Sequence, residues 1–175
     1  MTPSSVMYSS SGCERDHAST GRPGPSVVGG RNSNSGSPAL IESEGSDGVR
    51  LGIEPELANV VNTAAAARRL IDEIASPSLA VVLDPANLFE VADAGTRRDL
   101  VARAVDLLAD RIVMAHAKDR DAAGGFATAG QGVIDFAHFI GCLRAAGFDG
   151  DMVAHGLTAA EAPGVAAFLA GLVAR

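Results

Sequence analysis

Apolar residues are spread unevenly along the chain. Up to about position 48 they are sparse and set among Ser, Gly and Pro, in runs of three at most. From Val49 onward, short unbroken apolar runs alternate with longer stretches in which apolar positions recur every three or four residues. The short runs predict strands. Val49-Arg50-Leu51-Gly52-Ile53-Glu54 is the first, followed by Leu79-Ala80-Val81-Val82-Leu83-Asp84, Arg111-Ile112-Val113-Met114-Ala115-His116 and Asp151-Met152-Val153-Ala154-His155. Continuous runs such as Leu79 to Leu83 fit strands buried on both faces of a parallel sheet. The longer stretches predict helices. Asn62 to Ala75 carries Leu70, Ile71 and Ile74 at helical spacing, with Ser76-Pro77 as its stop. Thr96 with Asp99 resembles a capping box that starts a helix running through Leu108. Asp135 to Ala146 is a third helix, with Gly147 placed to end it. Ala162 to Ala174 is a fourth, with Pro163 in its first turn.

The order is β-α-β-α-β-α-β-α, which implies βαβ units and a parallel sheet. A complete (β/α)₈ barrel needs eight strands and about 250 residues. The α/β pattern of residues 49–175 therefore fits either a small open sheet or a partial barrel: half of a TIM (β/α)₈ barrel, four parallel β/α units. Residues 1–50 hold 12 Ser, 8 Gly and 4 Pro. Such a segment buries too little apolar surface to offset its ordering entropy, so residues 1–48 are expected to be disordered.

Composition narrows the function classes. The formal charge is −7 and the pI is about 5.0. With only 4 % aromatics and no Trp, a nucleic-acid partner is not expected. Cys13 and Cys142 lie far apart in no CxxC pattern, against both a disulfide scaffold and a cysteine zinc site. Met1 to Ser5 has no basic or apolar signal character, and no signal peptide is expected. The stretch Ala162 to Ala174 is too short for a bilayer span, which needs roughly 20 residues. A cytoplasmic protein without a membrane partner is the expectation.

Every predicted strand ends in a residue able to bind a metal: Glu54, Asp84, His116 and His155. Sites of parallel α/β sheets are built at the C-terminal ends of strands. Two carboxylates and two imidazoles converging there suit a divalent metal: Mn²⁺, Zn²⁺, Fe²⁺ or Co²⁺. Taken singly, a polar residue after a strand is more often a cap or a loop starter; all four strands ending this way at once favours a shared site. Lys118 is the only lysine beside 13 arginines and follows the third strand, where a lone cation could hold a substrate oxygen. A nucleotide-binding open sheet would need a glycine-rich loop after its first strand, where Glu54-Pro55-Glu56 stands instead. Gly124-Gly125 reads as a flexible loop, His138 as a satisfied helix histidine and Cys142 as a small core residue. Arg68-Arg69 and Arg97-Arg98 read as solvated helix faces, and Cys13 and His17 as parts of the disordered segment.

Five segments in order carry a family likeness: Gly52-Ile53-Glu54-Pro55-Glu56, Val82-Leu83-Asp84-Pro85-Ala86-Asn87, Val113-Met114-Ala115-His116-Ala117-Lys118-Asp119, Gly130-Gln131-Gly132-Val133-Ile134-Asp135-Phe136 and Gly147-Phe148-Asp149-Gly150-Asp151-Met152-Val153. Through them residues 49–175 resemble the C-terminal half of the sugar phosphate isomerase/epimerase family, the xylose isomerase-like TIM barrels. The resemblance implies one divalent metal, Mn²⁺ first, with Glu54, Asp84 and His116 matching the ligands of barrel strands five, six and seven. It implies a sugar or sugar phosphate substrate and metal-assisted proton transfer beside a carbonyl. Glu54 and His155 would then be the acid/base pair, Lys118 would steady an oxyanion, and Asn87 would orient a hydroxyl. Three positions depart from the family's pattern. His155 stands where a Glu is usual, Asn87 where a His is frequent, and Gln131 where a Glu is common. Nothing in residues 1–48 resembles barrel strands one to four. The competing expectation is a non-catalytic fragment that needs a missing half or forms a homodimer through its open sheet edges.

Overall fold

The computed structural model describes residues 6–8 and 49–174. Its main sheet has five parallel strands. β1 is Val6–Tyr8, β2 Leu51–Ile53, β3 Leu79–Leu83, β4 Ile112–Ala117 and β7 Asp151–Ala154, in the spatial order β1-β7-β4-β3-β2. Helices α1 (Ala64–Ile74), α2 (Ala94–Leu108), α3 (Phe136–Ala145) and α4 (Ala162–Val173) follow β2, β3, β4 and β7. From β2 on, these are the four parallel β/α units of a partial TIM barrel. A small antiparallel hairpin, β5 (Asp119–Arg120) and β6 (Phe126–Ala127), rises between β4 and α3.

One face of the sheet is sealed by the helices. Leu79, Val81 and Leu83 of β3, Ala115 and Ala117 of β4, and Met152 and Ala154 of β7 pack with Ile71, Val105, Leu108, Phe139, Leu143 and Leu169 from the four helices. Side chains alternate along a strand. The residues between these, such as Val82, Met114 and Val153, therefore face the other way, and so do Glu54, Asp84, His116 and His155. Each fully buried Phe or Leu contributes roughly 1.5–3 kcal/mol. The helix-side core is thus the main source of stability, and the opposite face is left for chemistry.

Helix ends follow local chemistry. The α1 cap is Thr63, whose hydroxyl accepts from the Ala66 amide at 3.1 Å. The α2 helix begins earlier than the Thr96 and Asp99 pattern predicts. Asp93 is its cap, accepting from the Thr96 amide at 3.0 Å and from the Thr96 hydroxyl. A short carboxylate with extended backbone satisfies the first-turn amides directly, and Thr96 becomes a donor inside the first turn. The α3 helix closes as predicted on Gly147 (φ +78°). The Gly147 amide donates to the Arg144 carbonyl and the Phe148 amide to the Leu143 carbonyl, both at 3.0 Å, the pair of bonds of a Schellman turn.

Two elements were not foreseen. The Gly124-Gly125 loop is the tip of the β5–β6 hairpin, where Asp121 Oδ1 accepts from the Ala123 and Gly125 amides. Strand β1 pairs in parallel with β7, Val6 opposite Met152. It lies inside the segment expected to be disordered and fills one of the two sheet edges expected to be open. Its Val-Met-Tyr sequence is the apolar tripeptide of a Ser-rich stretch and suits an extended strand. The remaining disorder expected for residues 1–48, with Cys13 and His17, lies outside the described residues. Among the described residues, no helix is long and apolar enough to cross a membrane.

Candidate metal centre

The period of two along each strand sets the site. Glu54 follows β2 directly, Asp84 follows β3, His116 is the penultimate residue of β4, and His155 follows β7. All leave the sheet on the face away from the helices, and His116 is in register with Val153, two residues before His155. One ligand atom from each of these four residues lies within 4.8 Å of the other three. The four residues singled out in the sequence thus converge.

Asp84 is the centre of the cluster. It is fully buried. Its Oδ1 accepts from the Ala86 amide at 2.9 Å. Its Oδ2 lies 3.2 Å from His155 Nε2, 3.4 Å from Lys118 Nζ and 4.0 Å from His116 Nδ1. A buried carboxylate needs such partners to offset its desolvation. Glu54 Oε1 lies 3.0 Å from His116 Nδ1 and accepts from Asn87 Nδ2 at 3.0 Å. The His116 and His155 rings meet edge to face with centroids 4.4 Å apart. The donor set is two carboxylates and two imidazoles, with one ammonium beside it. That combination of oxygen and nitrogen donors, with a negative charge left over, fits a divalent transition-metal cation.

Lys118 is held from two sides. Its Nζ faces Asp84 and also sits 4.0 Å from the centroid of Phe126. Arg120 approaches the same ring at 4.3 Å, so the β5–β6 hairpin presents an aromatic plate to both cations. Behind it, the fully buried Asp119 carboxylate collects four backbone amides. Gly130 and Gly132 donate to Oδ2, and Arg120 and Ile134 to Oδ1, at 2.8–3.1 Å. Arg120 Nε donates to the Ala86 carbonyl at 2.6 Å and its guanidinium also to the Gly124 carbonyl. The loop after β4 is therefore tied to the turn that carries Asp84. Gly132 is required here, because a Cβ would lie 2.0 Å from the Arg120 carbonyl oxygen. The roles of Asp119, Arg120 and Phe126 escaped the sequence reading. The spacing of Gly130 and Gly132 after the Lys118-Asp119 pair was the available signal.

The blander readings of His138, Cys142, Arg69 and Arg98 fit the structure, whereas Arg68 is half-buried and Arg97 turns back to donate to the Ala92 carbonyl. His138 Nε2 lies 3.0 Å from the Arg98 carbonyl. Burial pushes the Cys142 thiol pKa up, with the Asp135 charge adding to this and the Arg98 charge opposing it, so it is a poor nucleophile. Arg68 pairs with Asp72 and Asp110, and Arg69 with Glu73, on the outside of α1. Arg98 pairs with Asp135.

Comparison with known proteins places the fold. No curated protein matches the chain. Among solved structures, a xylose isomerase domain protein from Planctomyces limnophilus is similar at 18 % identity and a TM-score of 0.56, covering 70 % of this chain and 44 % of its own. A D-tagatose 3-epimerase-like protein matches at 18 % identity and a TM-score of 0.58, covering 72 % and 47 %. The 3-keto-D-glucoside 4-epimerase of E. coli matches at 23 % identity and a TM-score of 0.54, covering 73 % and 47 %. At these identities the likeness is one of fold, and this chain spans less than half the length of each. The family model described as "Xylose isomerase-like TIM barrel" matches residues 38–163, most of the chain. On that match and the four parallel β/α units, the chain belongs to the xylose isomerase-like TIM-barrel family.

Proposed function

We propose that this chain carries the metal-binding half of a sugar isomerase or epimerase site, with Glu54, Asp84, His116 and His155 as ligands of a divalent cation, Mn²⁺ first and Zn²⁺, Co²⁺ or Fe²⁺ as alternatives. The observation that carries the reading is the convergence of these four side chains within 4.8 Å at the C-terminal ends of consecutive sheet strands. Once bound, the cation would polarise the carbonyl of a ketose, hydroxy-ketone or sugar phosphate and acidify the adjacent C–H.

The chain's own residues would do the rest. Glu54 removes or returns the proton through Oε2, since its two contacts with His116 and Asn87 fall on Oε1. His155 stands where a carboxylate is usual in the family: bound to the cation it would be the fourth ligand, and held off it the partner acid/base. Lys118, pinned by Asp84 and Phe126, steadies the oxyanion that proton removal leaves.

The test is hydrogen exchange. With Mn²⁺ in D₂O, the chain is expected to exchange the hydrogen next to the carbonyl of a ketose, and Glu54→Gln is expected to stop it. Exchange that persists in Glu54→Gln overturns the assignment. A metal-loaded wild type that exchanges nothing with ketoses or ketose phosphates favours a second reading. In it the chain is a non-catalytic half that works only with a further half barrel or a second copy of itself. The observation behind this reading is the outer edge of β2, which pairs with no strand among the described residues and lies beside the exposed Val49, Leu57 and Val60.

A further inference from the structure

We propose that Asn87 is a positioning residue for Glu54 rather than a substrate contact. Asn87 ends the 3₁₀ turn Pro85–Asn87 and is only 2 % exposed, so little of it is available to a sugar hydroxyl. Its amide Nδ2 donates to Glu54 Oε1 at 3.0 Å across 33 positions of sequence. Its Oδ1 is buried and has no partner among the described residues. Turning the amide over would set Oδ1 against the carboxylate, so the hydrogen-bond network fixes the orientation. A buried amide that leaves its oxygen unpaired is costly, and what this one gains is its bond to a carboxylate.

The two carboxylates of the cluster differ in how they are held. Asp84 is short, fully buried and anchored to a backbone amide of its own turn. Glu54 has one more rotatable bond, stands on the edge strand β2, and its side chain is 32 % exposed. Its fixed contacts are His116, itself a ligand of the cluster, and Asn87, which is not. Asn87 is therefore the outer partner that would set the Glu54 rotamer before a cation arrives. The turn that does this is the one Asp84 caps, through its Oδ1 and the Ala86 amide at 2.9 Å. Both carboxylates are thus aimed by a single short segment.

This inference rests on the metal reading above, and the experiment separates the two. Mn²⁺ is titrated into the full chain, with electron paramagnetic resonance counting free ion, for wild type, Asn87→Leu and Asn87→Ala. Metal-free melts and ketose binding to the metal-saturated proteins are measured alongside. The expected result is saturable binding by wild type, a Kd about 10–100-fold higher in both variants, a retained cooperative melt, and unchanged ketose affinity once metal is saturating. Wild type that binds no Mn²⁺ overturns the metal reading itself. Variants that bind Mn²⁺ like wild type but lose ketose affinity overturn the positioning role and restore a substrate contact. Variants that both lose the cooperative melt make Asn87 a core residue and overturn the proposal as well.

Discussion

His155 Nε2 stands 3.2 Å from Asp84 Oδ2 although the two residues are 71 positions apart in sequence. They meet because β7 and β3 flank β4 and each delivers its terminal side chain to the same face. The position where the family usually has a carboxylate is thus filled by an imidazole within bonding range of a buried one. His155→Ala is expected to raise the Mn²⁺ Kd by at least the 10–100-fold typical of outer partners of metal sites, because it removes a donor atom itself. Calorimetric titration checks this, and an unchanged Kd would place His155 outside the ligand set.

The buried Asp119 carboxylate accepts four backbone amides, those of Arg120, Gly130, Gly132 and Ile134. Asp119→Ala leaves these donors without their acceptor, at a cost of about 1–3 kcal/mol for each one that water does not reach. A loss of about 3 kcal/mol or more is expected in urea unfolding. The hairpin carrying Phe126 should loosen with it, seen as faster amide exchange at residues 119–134.

Gly132→Ala tests the close approach behind the site. Its Cβ would sit 2.0 Å from the Arg120 carbonyl oxygen, so backbone has to move. A destabilisation of about 1–3 kcal/mol is expected, the range for overpacked interiors. Gly141→Ala is the control, since a Cβ there meets nothing within 4 Å. It should be neutral or slightly stabilising in its helix.

Glu161 gives a pH dependence with a defined sign. Hydrogen bonds from the Thr158 side chain, the Thr128 hydroxyl and the Thr158 amide hold its carboxyl at about 2, below the ordinary 4.5. A carboxyl depressed in the folded state adds stability above its unfolded value and loses it as pH falls. The contribution should be complete above pH 4.5 and disappear between there and about 2. Urea midpoints of wild type and Glu161→Gln, compared at pH 6 and pH 3, should converge at the lower pH. Because Thr128 lies before α3 and Glu161 before α4, the same titration should loosen these two loops from each other.

Much of the site was legible in the chain itself. Strand period and the abrupt polar ends at Glu54, Asp84, His116 and His155 were visible locally, and parallel topology brings such ends together whatever the details of packing. The helices were legible from apolar spacing, except for the start of α2, where Asp93 caps the helix three residues before Thr96. What stayed hidden depends on pairing over distance. The amide of Asn87 reads as exposed chemistry until the turn buries it against Glu54. Asp119 reads as one more acidic loop residue until Gly130 and Gly132 fold over it. Strand β1 is three residues whose partner lies at the far end of the chain, and no local pattern announces such a pairing.

The central claim is that four strand-end side chains form one cation site. The most direct measurement is Mn²⁺ titration of wild type, Asp84→Ala and His116→Ala, read by electron paramagnetic resonance with circular dichroism as a check on folding. One saturable Mn²⁺ per chain in wild type, lost in both folded variants, is the predicted result. No saturable binding in a folded wild type, or binding undiminished in both variants, would contradict it.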